Sequence, residues 1–261
     1  TAGPRTRRRI MNDDQRHRYS RHTIIPEVGE RGQLKLLDAK VLLIGAGGLG
    51  SPAAMYLAAA GVGTLVLSDF DRVESSNLQR QILYRDEDAG RGKAETAAER
   101  LTRLNPDIRA TAIPSRLDQA GLRAQLADCD VAMDGSDNYG TRFSVNEACL
   151  AAGKPLVSGA AIRFEGQLAV FRNDLPEAAC YRCLYDEQGD DMETCTGGGI
   201  LGPVAGVIGA LMAVETIKLI LGIGQPVAGR LVLYDGLQGH WRQVALRPDP
   251  GCPACGEFRS R

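Results

Sequence analysis

A glycine-rich segment between a strand-like run and a helix-like run constrains the fold of this chain most strongly. The segment reads GAGGLG, with Gly45, Gly47 and Gly50 spaced as G-x-G-x-x-G, between KVLLI and SPAAMYLAAAG. Such glycines permit a tight turn and let backbone N–H groups at a helix N-terminus approach a phosphate. The segment therefore predicts a nucleotide-binding unit. The glycines alone suit NAD and ATP equally, and a turn that only packs helix on sheet is the alternative.

Strand-like and helical patterns alternate along the first two thirds of the chain. Apolar strands are predicted at 40–45, 64–69, 108–114, 130–136 and 155–162, with helices between them. This order is typical of an α/β fold, Rossmann-like, with a mostly parallel sheet and helices on both faces. Beyond residue 162 the segments EGQLAVF, RLVLYDG and HWRQVALR predict mixed or antiparallel strands, and 202–221 predicts a long helix.

Charge and hydropathy exclude several classes of protein. A net charge of −1 over 261 residues argues against a nucleic-acid binder. The helix at 202–221 carries Glu215 and Lys218, which favours a buried helix over a membrane span. Residues 1–17 are predicted to be a disordered basic leader without an export signal, with Met11 as a candidate start, so we expect a cytoplasmic protein.

Charged and polar residues follow the second strand and suit a nucleotide. Asp69 ends that strand, where a carboxylate can receive a ribose hydroxyl or simply be solvated. The block ESSNLQRQ offers little to a nicotinamide ring, whereas Arg80 and Lys93 together suit a polyphosphate. Two ordinary surface cations are the alternative for this pair.

The segment MDGSDN ends the fourth strand at the same edge of the sheet. Asp137 and Asn138 lie there, and a carboxylate at this position can hold Mg²⁺ against phosphate oxygens. A helix N-cap is an equally natural use of these side chains. The pattern leaves both roles open.

Four of the seven cysteines form two Cys-x-x-Cys pairs. Cys180, Cys183, Cys252 and Cys255 make a four-thiolate set suited to tetrahedral Zn²⁺. The pairs lie about seventy residues apart, far beyond common zinc-ribbon spacings, so redox-active or buried thiols remain alternatives. Cys129 and Cys149 are predicted to be packing residues, and Cys195 lies in a polar segment before a helix.

The motifs RYSRH, GAGGLG, SNLQRQ, GKAE, DGSDN, CYRC and CPAC occur in the order of the ThiF/MoeB/HesA family, which the chain resembles from residue 18 to 256. The resemblance implies one domain, with a nucleotide-binding half at about 40–162 and a carrier-binding and zinc half at about 163–256. It also implies ATP-dependent adenylation of the C-terminal Gly-Gly carboxylate of a small β-grasp sulfur carrier, yielding acyl-AMP and pyrophosphate before thiocarboxylate formation. A thiamine-pathway carrier ranks ahead of a molybdopterin-pathway one.

The resemblance also assigns roles to individual residues. Gly48 and its loop contact the ATP phosphates, Asp69 the ribose, and Asp137 the Mg²⁺. Asn77, Arg80 and Lys93 bind the polyphosphate. The implied catalytic residues are Arg21, Arg80, Lys93, Asp137 and Cys195. The implied nucleotide contacts are Gly45, Gly47, Gly48, Asp69, Ser76, Asn77, Leu78, Gln79, Arg80, Lys93, Asp137 and Asn138.

Partners follow from the same resemblance. Arg21 reaches the ATP site of a second subunit, so a homodimer is expected. Cys195 resembles a cysteine that can join the carrier covalently, with a spectator thiol as the alternative. The four paired cysteines bind a structural Zn²⁺ that pins the C-terminal part. A separate protein, a cysteine desulfurase or a rhodanese, donates sulfur.

Three other functions are alternatives: a tRNA-modifying dehydratase, a nicotinamide oxidoreductase and a non-catalytic scaffold.

Overall fold

An eight-stranded sheet organises the chain in a computed structural model that describes residues 10–185 and 198–256. The strand order is β3-β2-β1-β4-β5-β6-β7-β8; the first five strands are parallel, and β6, β7 and β8 are added antiparallel. The strands are β1 Lys40–Ile44, β2 Thr64–Ser68, β3 Arg109–Ile113, β4 Val131–Asp134, β5 Leu156–Ile162, β6 Glu165–Phe171, β7 Arg230–Asp235 and β8 His240–Ala245. The predicted fold class is confirmed.

Helices cover both faces of this sheet. They are α1 Asp13–Arg18, α2 Ser20–Thr23, α3 Gly29–Asp38, α4 Gly50–Ala60, α5 Lys93–Leu104, α6 Gln119–Leu126, α7 Tyr139–Ala152 and α8 Gly202–Leu221. Alternate residues of β1 point to opposite faces. Val41 and Leu43 pack with α4, α5 and α8, whereas Leu42 and Ile44 pack with α6 and α7. This double covering explains why β1 is apolar from Val41 to Ile44, whereas the edge strand β3, RATAI, is only partly buried.

Helix α8 has the length and composition of a membrane span, with a mean hydropathy of 2.0, but half of its apolar window is buried in the protein. The two charged residues that argued for a buried helix are paired. Glu215 accepts hydrogen bonds from Lys218 Nζ at 2.8 Å and from the Val227 N–H at 2.8 Å. The helix packs against α4, β5 and β6, as expected for a core helix.

The prediction of a disordered leader through residue 17 is wrong for residues 11–17. Met11 is only 2% exposed and packs with Tyr19 and Leu37. Asn12 and Gln15 form a reciprocal capping box that begins α1. The run of arginines before Met11 led to the prediction of disorder, although the capping residues follow it directly. Residues 1–9 lie outside the described part of the chain.

Candidate functional site

The carboxyl ends of the parallel strands enclose a cavity of about 350 Å³. The strand order reverses at β1, which lies between β2 and β4, and ligands of open α/β sheets bind at such a switch point. The cavity brings together the predicted residues Gly45, Gly47, Gly48, Asp69, Arg80, Lys93, Asp137 and Asn138. Gln81 and Ser136, which belong to the segments ESSNLQRQ and MDGSDN, also line it. The sequence did not assign four further lining residues to the site: Phe70, Asp71, Arg116 and Leu117.

The glycine loop between β1 and α4 needs its glycines for close backbone contacts. Gly45 has a φ of +83°, and a Cβ there would lie 3.1 Å from the carbonyl oxygen of Gly135. A Cβ on Gly50 would overlap the carbonyl oxygen of Gly45. No side chain caps the N-terminus of α4. The Ser51 N–H donates to the Gly47 carbonyl at 2.9 Å and the Ala53 N–H to the Leu49 carbonyl at 3.2 Å, so backbone donors for a ligand must come from the glycine loop itself.

Asp69 supports this loop directly. Its Oδ2 accepts a hydrogen bond from the Ala46 N–H at 2.8 Å, and its Oδ1 accepts one from the Asp71 N–H at 2.9 Å. Burial raises the pKa of the Asp69 carboxyl above its ordinary value, although both N–H groups and the Lys93 cation oppose that shift. Each carboxylate oxygen can accept a second bond. The ribose contact therefore stays a prediction that the geometry allows.

Two cations converge on the cavity from different segments. Lys93 is 6% exposed at the start of α5, and its Nζ lies 3.0 Å from Asp71 Oδ2. Arg80 donates from Nη1 to the Ser76 carbonyl at 3.2 Å, and its Cδ would lie 3.3 Å from a Cβ on Gly48. The aliphatic stem of Arg80 thus covers the glycine loop. This placement favours polyphosphate binding over the alternative of scattered surface cations.

The rest of the SNLQR block lies around Arg80 in and after a short 3₁₀ turn, Ser75–Asn77. Asn77 is buried, and its Oδ1 has no partner among the described residues. Ser76 and Gln79 are exposed, Leu78 packs against the core, and none of the four lines the cavity in the described structure. Gln81 does line it, is 3% exposed, and has an Oε1 without a partner among the described residues.

The two roles left open at the end of β4 fall on different residues. Asn138 caps α7, because its Oδ1 accepts a hydrogen bond from the Thr141 N–H at 2.9 Å. Asp137 is exposed and lines the cavity.

Asp134 is fully buried, accepts a hydrogen bond from the Ser136 N–H at 2.9 Å, and is attracted by the buried Arg142 guanidinium. Burial raises the pKa of the Asp134 carboxyl.

A second cavity, of about 520 Å³, adjoins the first, and Asp137 lines both. It lies over the β5–β8 part of the sheet and the start of α7. Small residues, Ala160, Ala161 and Gly166, form part of its wall, and Arg142 lies at its inner side.

The paired cysteines meet in one cluster, although they are distant in sequence. All four Sγ atoms lie within 4.8 Å of one another, with Cys180–Cys252 at 3.7 Å and Cys183–Cys255 at 3.5 Å. A tetrahedral zinc ion with Zn–S bonds of about 2.3 Å requires S–S separations of roughly 3.8 Å. The donor set and its spacing fit Zn²⁺, and the cluster could hold a metal ion.

One predicted catalytic residue does not line the cavity of the described structure. Arg21 is exposed on α2 and is not among the lining residues of the described cavity. Cys195 lies outside the described residues. Cys129 and Cys149 are fully buried among apolar side chains, which agrees with a packing role.

Comparison with known proteins gives consistent matches over nearly the whole chain. The model of the ThiF family matches residues 19–254. The chain is 50% identical over 246 residues to the sulfur carrier protein ThiS adenylyltransferase of Escherichia coli K12, covering 94% of this chain and 97% of that protein. It is 45% identical over 247 residues to the molybdopterin-synthase adenylyltransferase of the same strain, covering 95% and 99%. The crystal structure of E. coli MccB with ATP shares the fold, with a TM-score of 0.79 and 24% identity, over 92% of this chain and 73% of that one.

Proposed function

Because the chain belongs to the ThiF family, we propose that it is an ATP-dependent adenylyltransferase that activates the C-terminal carboxylate of a small sulfur-carrier protein. One observation carries the proposal: Arg80, Lys93 and the glycine loop converge in a single cavity. In the reaction, the carrier carboxylate attacks the α-phosphorus of ATP and pyrophosphate leaves. The acyl-AMP formed is then ready for thiocarboxylate formation.

The chain's own residues perform this reaction by position and charge. The glycine loop before α4 holds phosphate oxygens, while Arg80 and Lys93 neutralise the charge that develops on the leaving pyrophosphate. Asp137 fits a Mg²⁺ ligand, because one carboxylate beside substrate phosphates is the kind of site that ion takes. Bound Mg²⁺ would screen the phosphate charge. No general base is required, since the nucleophile is already a carboxylate.

The second cavity is proposed to hold the tail of the carrier. Its small wall residues, Ala160, Ala161 and Gly166, leave room for an extended backbone without side chains, such as a Gly-Gly terminus. Asp137 lies at the junction of the two cavities. A tail that entered from the β5–β8 surface would therefore present its terminal carboxylate to the nucleotide.

The identity of the carrier is tested by ATP–pyrophosphate exchange. We propose a ThiS-type carrier of the thiamine pathway, because identity to the ThiS enzyme is 50% and to the molybdopterin-synthase enzyme 45%. The similar coverage of the second relative makes its carrier the second candidate. We expect exchange with both, with kcat/KM about ten-fold higher for the ThiS-type carrier. A carrier without its terminal Gly-Gly should give none, and absence of exchange with both intact carriers would refute the proposal.

The cysteine cluster is proposed to bind a structural Zn²⁺ that joins the C-terminal segment to the chain after β6. Four thiolates leave no open position for water, so the ion would stabilise and not react. We expect the double variant Cys252→Ser, Cys255→Ser to lose its zinc and to unfold about 10 °C lower, because binding of a structural metal contributes to folding free energy. Metal analysis and thermal unfolding measure both effects.

A matched variant distinguishes this site from the other thiols. Cys195→Ser removes one of the seven cysteines but none of the four ligands. It should retain one zinc ion per chain. Native protein without zinc, or a double variant that keeps its zinc, would contradict the assignment.

The remaining roles are proposals that the fold accommodates. We propose that Arg21 acts in the nucleotide site of a second copy of the chain. It is exposed on α2 and does not line the described nucleotide cavity of its own chain. Cys195 is proposed as the thiol that joins the carrier, and a separate sulfur donor, a cysteine desulfurase or a rhodanese, completes the sequence of reactions. Four zinc-binding thiols suit a reducing compartment such as the cytoplasm.

A further inference from the structure

The hydroxyl group of Tyr84 joins two segments of the nucleotide site from behind the cavity. It lies 2.9 Å from the carbonyl oxygen of Ala46 in the glycine loop and 3.2 Å from the carbonyl oxygen of Lys93 at the start of α5. Tyr84 is only 4% exposed and is not among the described residues that line the cavity. Any effect of its hydroxyl on the reaction must therefore act through the residues that it holds.

The surroundings of this hydroxyl keep it protonated, so that it acts as a donor. Burial raises the pKa of Tyr84 well above its ordinary value, and the negative charges of Asp69 and Asp88 raise it further. A phenol carries a single hydrogen, and carbonyl oxygens can only accept. The O–H group of Tyr84 is thus shared between two carbonyl oxygens, and its burial leaves water little opportunity to compete for it.

The two segments that Tyr84 connects are otherwise anchored at different residues. The N–H of Ala46 donates to Asp69 Oδ2 at 2.8 Å, which fixes the other side of the glycine-loop peptide. The N–H of Lys93 donates to the carbonyl oxygen of Asp71 at 2.9 Å. The Tyr84 hydroxyl adds a direct link between the glycine loop and the backbone that carries the lysine.

The backbone of Tyr84 extends this link towards Arg80. The Tyr84 N–H donates to the carbonyl oxygen of Gln81 at 3.1 Å in a turn, and Arg80 directly precedes Gln81 in the chain. The glycine loop, Arg80 and Lys93 are the groups assigned to the phosphates. All three are therefore within one or two contacts of a single buried tyrosine.

We propose that Tyr84 is a positioning residue that fixes Lys93 relative to the glycine loop during adenylation. This inference rests on the proposed function, because it concerns the same nucleotide site. Charge that develops on the leaving pyrophosphate is stabilised best by groups that are already in place before the reaction. A lysine that could shift against the loop would lose part of that stabilisation, even with both segments present.

Tyr84→Phe tests the proposal, because it removes the hydroxyl and keeps the ring in the core. We expect kcat for carrier-dependent ATP–pyrophosphate exchange to fall about three- to ten-fold, as loss of one neutral hydrogen bond predicts. The KM for ATP should stay within about two-fold, since loss of an interaction that acts only in the transition state lowers kcat. The unfolding midpoint should fall by no more than about 4 °C.

A double variant separates positioning of Lys93 from a general effect on the fold. In a Lys93→Ala background, Tyr84→Phe should change kcat less than about two-fold, because the hydroxyl then has no ammonium group to position. Two residues that act independently would instead give effects that multiply. Tyr56→Phe is the matched control, because Tyr56 lies on α4 with 60% of its surface exposed and does not line the cavity. It should retain the kcat of the unaltered chain.

Three results would overturn the inference. They are an unchanged kcat in Tyr84→Phe, a loss that appears in the KM for ATP and not in kcat, and a loss of the same size in the Lys93→Ala background. If the unaltered chain showed no carrier-dependent exchange at all, the proposed function itself would be overturned instead.

Discussion

Replacement of Lys93 by alanine is expected to lower carrier-dependent ATP–pyrophosphate exchange by about 10²–10³-fold, the usual effect of removing one preorganised charge that stabilises a transition state. Lys93 is almost completely buried in the cavity, where water screens its charge little. The free energy of unfolding should change much less than the exchange rate. Its partner Asp71 has a side chain that is 54% exposed, so loss of Lys93 leaves that carboxylate hydrated and not buried alone.

Two measurements separate the catalytic effect from a structural one. The exchange rate is measured at saturating ATP and carrier, and the unfolding midpoint is measured on the same samples. Lys154→Ala is the matched control, because Lys154 precedes β5 at the opposite edge of the parallel sheet and does not line the nucleotide cavity. The Lys154→Ala variant should catalyse ATP–pyrophosphate exchange at the rate of the unaltered protein. A Lys93 variant that exchanges within ten-fold of that rate would contradict the phosphate-binding role.

The sheet was predictable because its determinants are local. Most of the parallel strands are short apolar runs bounded by glycine, proline or polar residues, and α5 has the periodic pattern of an amphipathic helix. Helix α8 was predicted with its observed bounds, Gly202–Leu221. The helices α2 and α3 were not predicted, and α1 was predicted as disorder. These helices are short and are held by tertiary contacts. Met11, Tyr19 and Leu37 pack together, and the Tyr19 hydroxyl donates to Asp107 Oδ2 at 3.2 Å.

The candidate site was predictable where one motif supplies several residues. The glycine loop, Arg80, Lys93 and Asp137 all line one cavity, as expected for residues that follow parallel strands. Asp71, Phe70 and Arg116 could not be assigned, because their roles depend on which loops meet in space. Asp71 contacts Lys93, which lies 22 residues further along the chain, and Arg116 covers Phe70 from the loop after β3. No pattern within either segment predicts such a contact.

The cysteine pairs show the same division between local pattern and tertiary contact. Each Cys-x-x-Cys motif is a local signal, but the interval of about seventy residues left metal binding and separate thiols open. Convergence depends on the antiparallel strands β6, β7 and β8, which return the chain so that Cys252 comes within 3.7 Å of Cys180. Only the complete fold therefore distinguishes a four-thiolate site from two unrelated pairs.

Replacement of Gly50 by alanine is expected to raise the Kd for ATP at least about 100-fold, because the added Cβ has no room in the loop. It would overlap the carbonyl oxygen of Gly45 and lie 2.9 Å from the carbonyl carbon, closer than real Cβ contacts. Both atoms belong to the backbone, so no side-chain rotation relieves the clash. The loop that directs N–H groups at the phosphates must therefore move. ATP titration measures the loss, and far-UV circular dichroism tests whether the sheet and helices persist.

Gly206→Ala provides the matched control for this substitution. Gly206 lies inside α8, and a Cβ there would meet nothing within 4 Å. Alanine is about 0.8–1.0 kcal/mol more favourable than glycine in a helix interior, so this variant should bind ATP normally and unfold at a slightly higher temperature. The contrast assigns the Gly50 effect to loop geometry and not to a general effect of alanine. Normal ATP binding by Gly50→Ala would show that the loop does not hold the phosphates.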